Sequence, residues 1–520
     1  MRRLLLLPPL LVLALAFAWP LVPILASQST EAWSWALHSP YVRGRMGTAL
    51  LQAFLSTLLA LFVAAPLAWL FHRRDLPRRW LTLHAAPFVL PVFVIVFGLQ
   101  ATLGNHSLLH AATGLDLLAW LGPLGAVALA NAYYNYGVAA RILHATLERR
   151  PGRLEEVART LGASPRQAFL RASLPLLRTG FLSAALLVFL FSFASFGVIL
   201  YLGQGQVGTF ETLLYESMAG AFARMDRAAV LAVLQLCAST LLLSLFLLLQ
   251  RRGWPAGPPS AAWAGGWRWG APFLAAMALT PLVAVLLSAF RLDGHWSLEA
   301  WRALLDPDHP AHLAGFSLGH AVLTSLLYAA AASAAALGLT LCLWAGSRSR
   351  GWAEGLASLP LGSSSLVLGL GLALAYGPGR ADLRGTYTLV LAAHVLVALP
   401  FVARTLLPAL GGIDARLSES AAVLGASAWQ RLARIQLPLV RPALGVALGT
   451  AAALSLGDFG ASLLLMAPGT MGLTVWIARH GGPASFDPLH RAESVALAAL
   501  LLALTGVVYA AASWRPGRHA

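Results

Sequence analysis

Two short stretches of this 520-residue chain carry the same polar residues at the same spacing. The first runs from Glu156 to Gly162 (E-V-A-R-T-L-G) and is followed by Leu174-Pro175. The second runs from Glu419 to Gly425 (E-S-A-A-V-L-G) and is followed by Leu437-Pro438. In each, glutamate precedes glycine by six residues and glycine precedes proline by thirteen. The match extends outward at a constant offset of 263, pairing Arg141 with Arg404, Gln167 with Gln430, Arg171 with Arg434 and Arg178 with Arg441. Phe196-Gly197 pairs with Phe459-Gly460 in the same way. A shared offset over this length marks a duplicated and fused module. An acid, a glycine and a proline so spaced build a helix–turn–helix rather than a reaction centre, because glycine accepts the positive φ of a tight turn. Ser164-Pro165 and Ser427 then start the second short helix of each copy. Such an element can dock into a groove on a soluble partner, and two copies imply a symmetric pair of docks. The alternative is an amphipathic loop lying on a membrane surface.

Other polar residues stand out against an apolar background. Asp458 is an acid inside an apolar run, and the residue 263 positions earlier is Ser195. Acids inside a membrane are costly and usually functional or paired. Two readings stand: a group lining a solute pathway, or a hydrogen bond across helices to Ser455 or Ser462. Asn131, Tyr133, Tyr134, Asn135 and Tyr136 form a polar-aromatic patch. It suits stacking on a heteroaromatic solute, and it equally suits a helix–helix contact. Asp306, Asp308, His309 and His312 have ligand types that transition metals accept, but two prolines fragment the stretch and no fixed motif matches, so no metal site is assigned. All 36 basic residues are arginine. Without lysine, a phosphate-binding G-x-x-x-x-G-K-[ST] loop cannot form, so any ATP must be hydrolysed by another polypeptide. No catalytic constellation is present, and the chain is read as a non-enzyme without a cofactor.

The elements that must position these residues are transmembrane helices. Hydrophobic residues make up 58% of the chain and charged residues 11%. Apolar runs of about twenty residues, the length that spans a bilayer, recur throughout. The reading is an all-α polytopic membrane protein of about twelve spans. The first half supplies Leu4–Ala26, Leu50–Phe71, Pro87–Leu103, Leu117–Leu143, Phe181–Leu202 and Ala229–Leu249. The second supplies Pro272–Phe290, Ala321–Ala345, Leu359–Tyr376, Tyr387–Leu407, Ala443–Met466 and Ser494–Ala511. The halves are residues 1–250 and 271–520, carrying the duplicated loops at 150–178 and 412–441. Residues 251–270, rich in Gly, Pro and Trp, read as a linker.

Placing both loops and both termini on one face puts 26 of the 36 arginines there, which marks that face as cytoplasmic. The net charge of +16 is thus a topology signal, and its dispersal over short loops argues against nucleic-acid binding. The apolar start is longer than a signal-peptide core and is read as a retained helix. Cys237 and Cys342 fall inside spans and read as packing residues, not as a disulfide framework.

The duplicated stretch resembles the EAA loop of ABC-importer permeases, whose pattern is E-A-A-x-x-x-G followed by L-P. This chain departs at Val157 and Ser420 and keeps the glutamate, the second alanine (Ala158, Ala421), the glycine and Pro175 or Pro438. The resemblance implies a type I permease fold and coupling loops that seat in two copies of a cytoplasmic ATP-binding subunit. Glu156 and Glu419 would make polar contacts to that subunit, and Gly162 and Gly425 would form the turns. It also implies an external solute-binding protein and a place in the bacterial inner membrane. Gln52-Ala53-Phe54-Leu55-Ser56, Leu90-Pro91-Val92 to Phe97-Gly98, Ser192 to Phe196 and Leu454 to Gly460 are similar to thiamine-type permeases, with ferric-iron permeases as the alternative. The solute such a permease would carry is thiamine or its phosphates. Asp458, Ser195, Asn131, Tyr134 and Asn135 are the candidates for lining its path. A secondary transporter would share the internal repeat but would have no use for matched docking loops.

Overall fold

A computed structural model describes the chain apart from residues 1, 75–77, 106, 149–152, 169–170, 172–173, 219–222, 252–269, 307–316, 348, 378–381, 481–486 and 514–520. The described residues are helical except for turns, connections and one hairpin of β1 (Arg291–Leu292) and β2 (His295–Trp296). The helices that matter below begin with α1 (Leu4–Ala26), α2 (Pro40–Arg74), α3 (Val92–Leu103) and α4 (Leu117–Glu148). Short α5 (Arg153–Thr160) and α6 (Pro165–Ala168) precede α7 (Leu174–Phe193), α8 (Gly197–Leu202), α9 (Met225–Arg251) and α10 (Gly270–Ser288). The second half holds α11 (Leu318–Gly346), α12 (Ser365–Tyr376), α13 (Tyr387–Gly411), α14 (Ala415–Val423) and α15 (Ala428–Arg431). It ends with α16 (Arg441–Gly457), α17 (Gly460–Leu465) and α18 (Pro488–Ser513).

Apolar sequence becomes helix here because a bilayer offers no partner for a backbone N–H or C=O, so each span must satisfy its own. Among the described residues, seven helices are long and apolar enough to cross a membrane. An eighth joins them if the bent pair Ala428–Leu439 and Arg441–Gly457 counts as one span. That is fewer than the twelve expected. Two of the expected spans are instead shorter apolar helices, Val92–Leu103 and Ser365–Tyr376, while α7 and α10 run to 20 and 19 residues. Local breaks account for much of the shortfall. The third span stops at Leu90-Pro91, where extended backbone precedes α3. Its repeat stops at Ser363-Ser364, and the Ser364 hydroxyl accepts the Val367 N–H to start α12. The fifth span breaks at Ala194–Phe196 and its repeat at Asp458-Phe459.

The chain divides into two compact units. The amino-side unit is Ser29–His295, and the carboxy-side unit is Met1–Gln28 with Trp296–Ala520. The first helix of each sequence half therefore belongs to the unit built mainly from the other half: α1 lies in the carboxy-side unit and α10 in the amino-side unit. Close packing holds each in place. A Cβ on Gly98 of α3 would sit 2.6 Å from the Pro281 carbonyl oxygen of α10. A Cβ on Gly371 of α12 would sit 3.1 Å from the Pro20 carbonyl oxygen of α1.

Inside each unit the same face is buried. Ala60, Ala64, Leu67, Ala68 and Phe71 of α2 share a core cluster with Ala139, Ala140 and Leu143 of α4. Ala332, Ala336, Leu339 and Leu343 of α11 share another with Ala398, Leu399, Val402 and Ala403 of α13. Small residues at i and i+4 let the helix backbones approach closely, which is how membrane helices gain packing energy. Just before the third span of the amino-side unit, His84 is buried at the edge of this core. Its ring meets Phe71 and Tyr136 edge-on, and Nδ1 lies 3.0 Å from the Tyr136 hydroxyl. Burial pushes the His84 imidazole down to about 4, so it is neutral at physiological pH.

Candidate functional site

The duplicated stretches fold into the same hairpin. In the first, α5 ends at Gly162, whose φ is 88°. The Gly162 N–H donates to the Arg159 carbonyl (3.0 Å) and the Ala163 N–H reaches back to the Ala158 carbonyl (3.0 Å). In the second, α14 ends at Gly425, whose φ is 84°. There the Gly425 N–H donates to Ala422 (3.0 Å) and the Ala426 N–H to Ala421 (2.9 Å). This pair of bonds, closed by a left-handed glycine, satisfies carbonyls that a helix end would otherwise leave open. A reciprocal cap then opens the next helix. Ser164 and Gln167 exchange bonds of 3.1 and 3.3 Å, and Ser427 and Gln430 exchange bonds of 2.8 and 3.2 Å. Every feature of the turn is thus specified twice, in local sequence.

The tips of the hairpins are apolar and bare. Leu161 is 83% exposed, and its repeat partner Leu424 is 87% exposed beside Val423 at 88%. Isolated exposed leucines are common, but paired ones at the tips of rigid turns have the form of contact residues. The second hairpin is anchored at its root. Gln436 accepts from the Trp344 indole (3.2 Å) at the end of α11 and donates to the Ser418 hydroxyl (3.0 Å) in α14. Trp344 and Leu437 pack on Leu406, Leu410 and Val440. The segment Ala428–Leu439 meets α16 at 84°, so a displacement of the hairpin acts directly on the foot of α16.

Deeper in each unit, a buried polar node sits where the fifth span of the half breaks. In the amino-side unit, Gln52 of α2 donates to the Ser192 carbonyl (2.6 Å) and accepts from the Asn131 amide of α4 (3.1 Å). In the carboxy-side unit, His394 of α13 lies 2.7 Å from the Ser455 hydroxyl through Nδ1 and 2.9 Å from the Ser462 hydroxyl through Nε2. Asp458 Oδ2 accepts the Ser462 N–H (3.0 Å) and hydroxyl (2.9 Å).

A duplicated hairpin on a fused, two-part helical chain has a counterpart among known proteins. The family described as "Binding-protein-dependent transport system inner membrane component" matches residues 49–253 and 317–513. The chain belongs to that family. Each matched segment carries one hairpin and one polar node, so this inner-membrane component is a multi-pass helical permease with its family domain present twice. It is 30% identical, over 99% of its own length and 97% of the relative's, to the thiamine transport system permease protein ThiP of Salmonella typhimurium. It is 31% identical to ThiP of Escherichia coli, over 90% of this chain and 88% of the relative. It is 29% identical to ThiP of Haemophilus influenzae, over 79% and 78%.

The permease structure sorts the expected residues. Ala158 and Ala421 contribute turn carbonyls, and Gly162 and Gly425 make the turns. Glu419 is exposed on α14, whereas the Glu156 side chain lies outside the described residues. Pro175 falls in the first turn of α7, so it opens that helix instead of closing the one before it. Pro438 is exposed in the short helix Leu437–Leu439. Asn131 and Asn135 are brought together, the Asn135 amide donating to the Asn131 carbonyl (2.9 Å). Tyr134 is half-buried against Phe88, and Ser195 is half-buried in the break after α7. The side chain of Asp458 is 2% exposed, and of the two serines weighed as its partner, Ser462 holds it while Ser455 bonds His394. Asp308, His309, His312 and nearly all of the linker fall outside the described residues. His394 was not singled out by the sequence reading, yet it is the repeat partner of Asn131, and the 263 offset pointed to it.

Proposed function

We propose that this chain is the permease of an ATP-driven importer for thiamine or its phosphates. The observation that carries this reading is the likeness to thiamine transport permeases along 99% of the chain. Residues 1–250 and 271–520 are read as the two permease halves, and 251–270 as their linker. Each hairpin seats in one of two cytoplasmic ATP-binding subunits. The bare tips Leu161 and Leu424 enter the groove, and Glu156 and Glu419 make polar contacts at its rim. Both termini face the cytoplasm, in line with the arginine-rich loops. A solute-binding protein delivers cargo from outside. Ser195 and Tyr134, which keep part of their side chains uncovered, line the path. Asn131, Asn135 and Asp458, all buried, hold the helices that frame it.

The test is uptake of labelled thiamine at nanomolar concentration by cells with and without this chain. Deletion abolishes uptake and a plasmid copy restores it. Unchanged thiamine uptake together with lost ferric-iron uptake would overturn the thiamine reading and leave the importer architecture standing.

A further inference from the structure

The two polar nodes occupy matching places but do different mechanical work. In the carboxy-side unit the bond directions are fixed by the carboxylate. Asp458 can only accept, so the Ser462 hydroxyl donates to it (2.9 Å). The Ser462 oxygen then accepts from Nε2–H of His394 (2.9 Å), and Nδ1 of His394 shares a hydrogen bond with the Ser455 hydroxyl (2.7 Å). Ser455 lies before the break at Asp458-Phe459, and Ser462 lies after it. One imidazole on α13 therefore ties α16 to α17. Further bonds brace the same place: the Thr474 hydroxyl donates to the Asp458 carbonyl (3.1 Å), and the Tyr328 ring packs 5.1 Å from the imidazole.

Among the described residues, the amino-side node lacks this bridge. Asn131 stands where His394 does, Ser195 where Asp458 does and Ile199 where Ser462 does. Gln52 reaches the Ser192 carbonyl, before the break, and Ile199 has no group for a side chain to bond beyond it. Among the described residues, the Asn135 amide oxygen and the Ser192 hydroxyl are also buried there without a partner, whereas none of the polar atoms of His394, Ser455, Ser462 and Asp458 is left so. Buried unpaired polar groups cost free energy that a rearrangement can recover.

We infer that His394 is a positioning residue of the transport cycle: it clamps the break between α16 and α17, and the matching break between α7 and α8 is the one that changes shape. This rests on the permease reading above.

The experiment places one cysteine at Ala194 or at its repeat partner Gly457, both half-exposed, in a Cys237→Ala, Cys342→Ala background. The full chain, assembled with its ATP-binding subunit, is labelled with a maleimide in the nucleotide-free state and after trapping with ATP and vanadate. Labelling at position 194 changes several-fold between states, and labelling at 457 does not. Ser462→Ala removes the far anchor with little change of volume, and loss of its two buried hydrogen bonds, to Asp458 and to His394, then makes position 457 state-dependent by about 5–30-fold. Asn131→Ala leaves position 457 state-independent. Equal state dependence at both positions in the parent overturns the proposal, as does a state-independent 457 in Ser462→Ala or an unchanging 194. Thiamine uptake measured on the same parent separates the two readings: its absence with the labelling pattern intact removes the solute assignment and leaves the clamp.

Discussion

Replacing the turn glycines isolates one physical cause. Gly162 and Gly425 sit at φ of 88° and 84°, and a Cβ built on either meets nothing within 4 Å. A Cβ therefore meets no crowding among the described residues, and the cost of an alanine there is backbone strain. For alanine that strain is about 1–2 kcal/mol. Asparagine adopts the left-handed region several-fold more readily, and a β-branched valine tolerates it least. Opposing the strain are the two turn bonds of each hairpin, 3.0 and 3.0 Å in the first and 3.0 and 2.9 Å in the second. They contribute about 1 kcal/mol each. Strain and bonds are of the same size, so the series Asn, Ala, Val steps from a retained turn to an opened one. A shift of 1–2 kcal/mol changes the fraction of closed hairpin by about 5–30-fold. The assay is thiamine-stimulated ATP turnover and uptake in proteoliposomes, with membrane abundance measured alongside. We expect Gly162→Asn with Gly425→Asn to stay coupled, and Gly162→Val with Gly425→Val to lose uptake and stimulation at unchanged abundance. Full coupling in the valine pair, or worse coupling in the asparagine pair, refutes the reasoning.

Three further outcomes follow from the geometry. Leu161→Glu and Leu424→Glu change stability by less than about 0.5 kcal/mol because both tips are exposed, yet they abolish coupled uptake; wild-type uptake would remove the tips from the docking surface. Asp458→Asn weakens charge-assisted bonds of roughly 1.5–3 kcal/mol to neutral ones of about 1 kcal/mol, so the melting temperature falls; lost uptake with an unchanged melting temperature would place the charge in the solute path instead. His84 titrates near 6.5 when unfolded and near 4 when folded, so stability is complete above pH 6.5 and declines as pH falls towards 4, by about 3 kcal/mol in all; a pH-independent melting temperature in wild type, or a decline that persists in His84→Gln, contradicts this.

The parts of the molecule legible in the sequence are those encoded locally. A left-handed turn leaves its mark in residue type, so Gly162 and Gly425 were readable, as were the serines that restart each helix. Apolar composition located the helices, but hydropathy measures composition and not continuity, so the breaks at Pro91, Ala194, Ser364 and Asp458 were absorbed into uniform spans. Partners are not encoded locally at all. Nothing near Asp458 in the chain names the imidazole of His394, which comes from another helix. The placement of α1 and α10 was hidden for a related reason. Gly98 and Gly371 announce a close approach without saying which helix approaches.

The approach of Gly371 to Pro20 bears on how the protein is made. α1 leaves the ribosome first, but α12 is not complete until Tyr376 has been synthesised. At about 5–20 residues per second, that interval is on the order of half a minute. For most of it α1 waits in the lipid before the long helices of its own unit are made, α11 being the first of them to reach it, and its apolar sequence keeps it there. The amino-side unit is delayed too, since α3 gains its neighbour only when α10 emerges. Biogenesis is therefore out of step with the sequence repeat, and a ribosome stalled between the halves would leave both units unfinished.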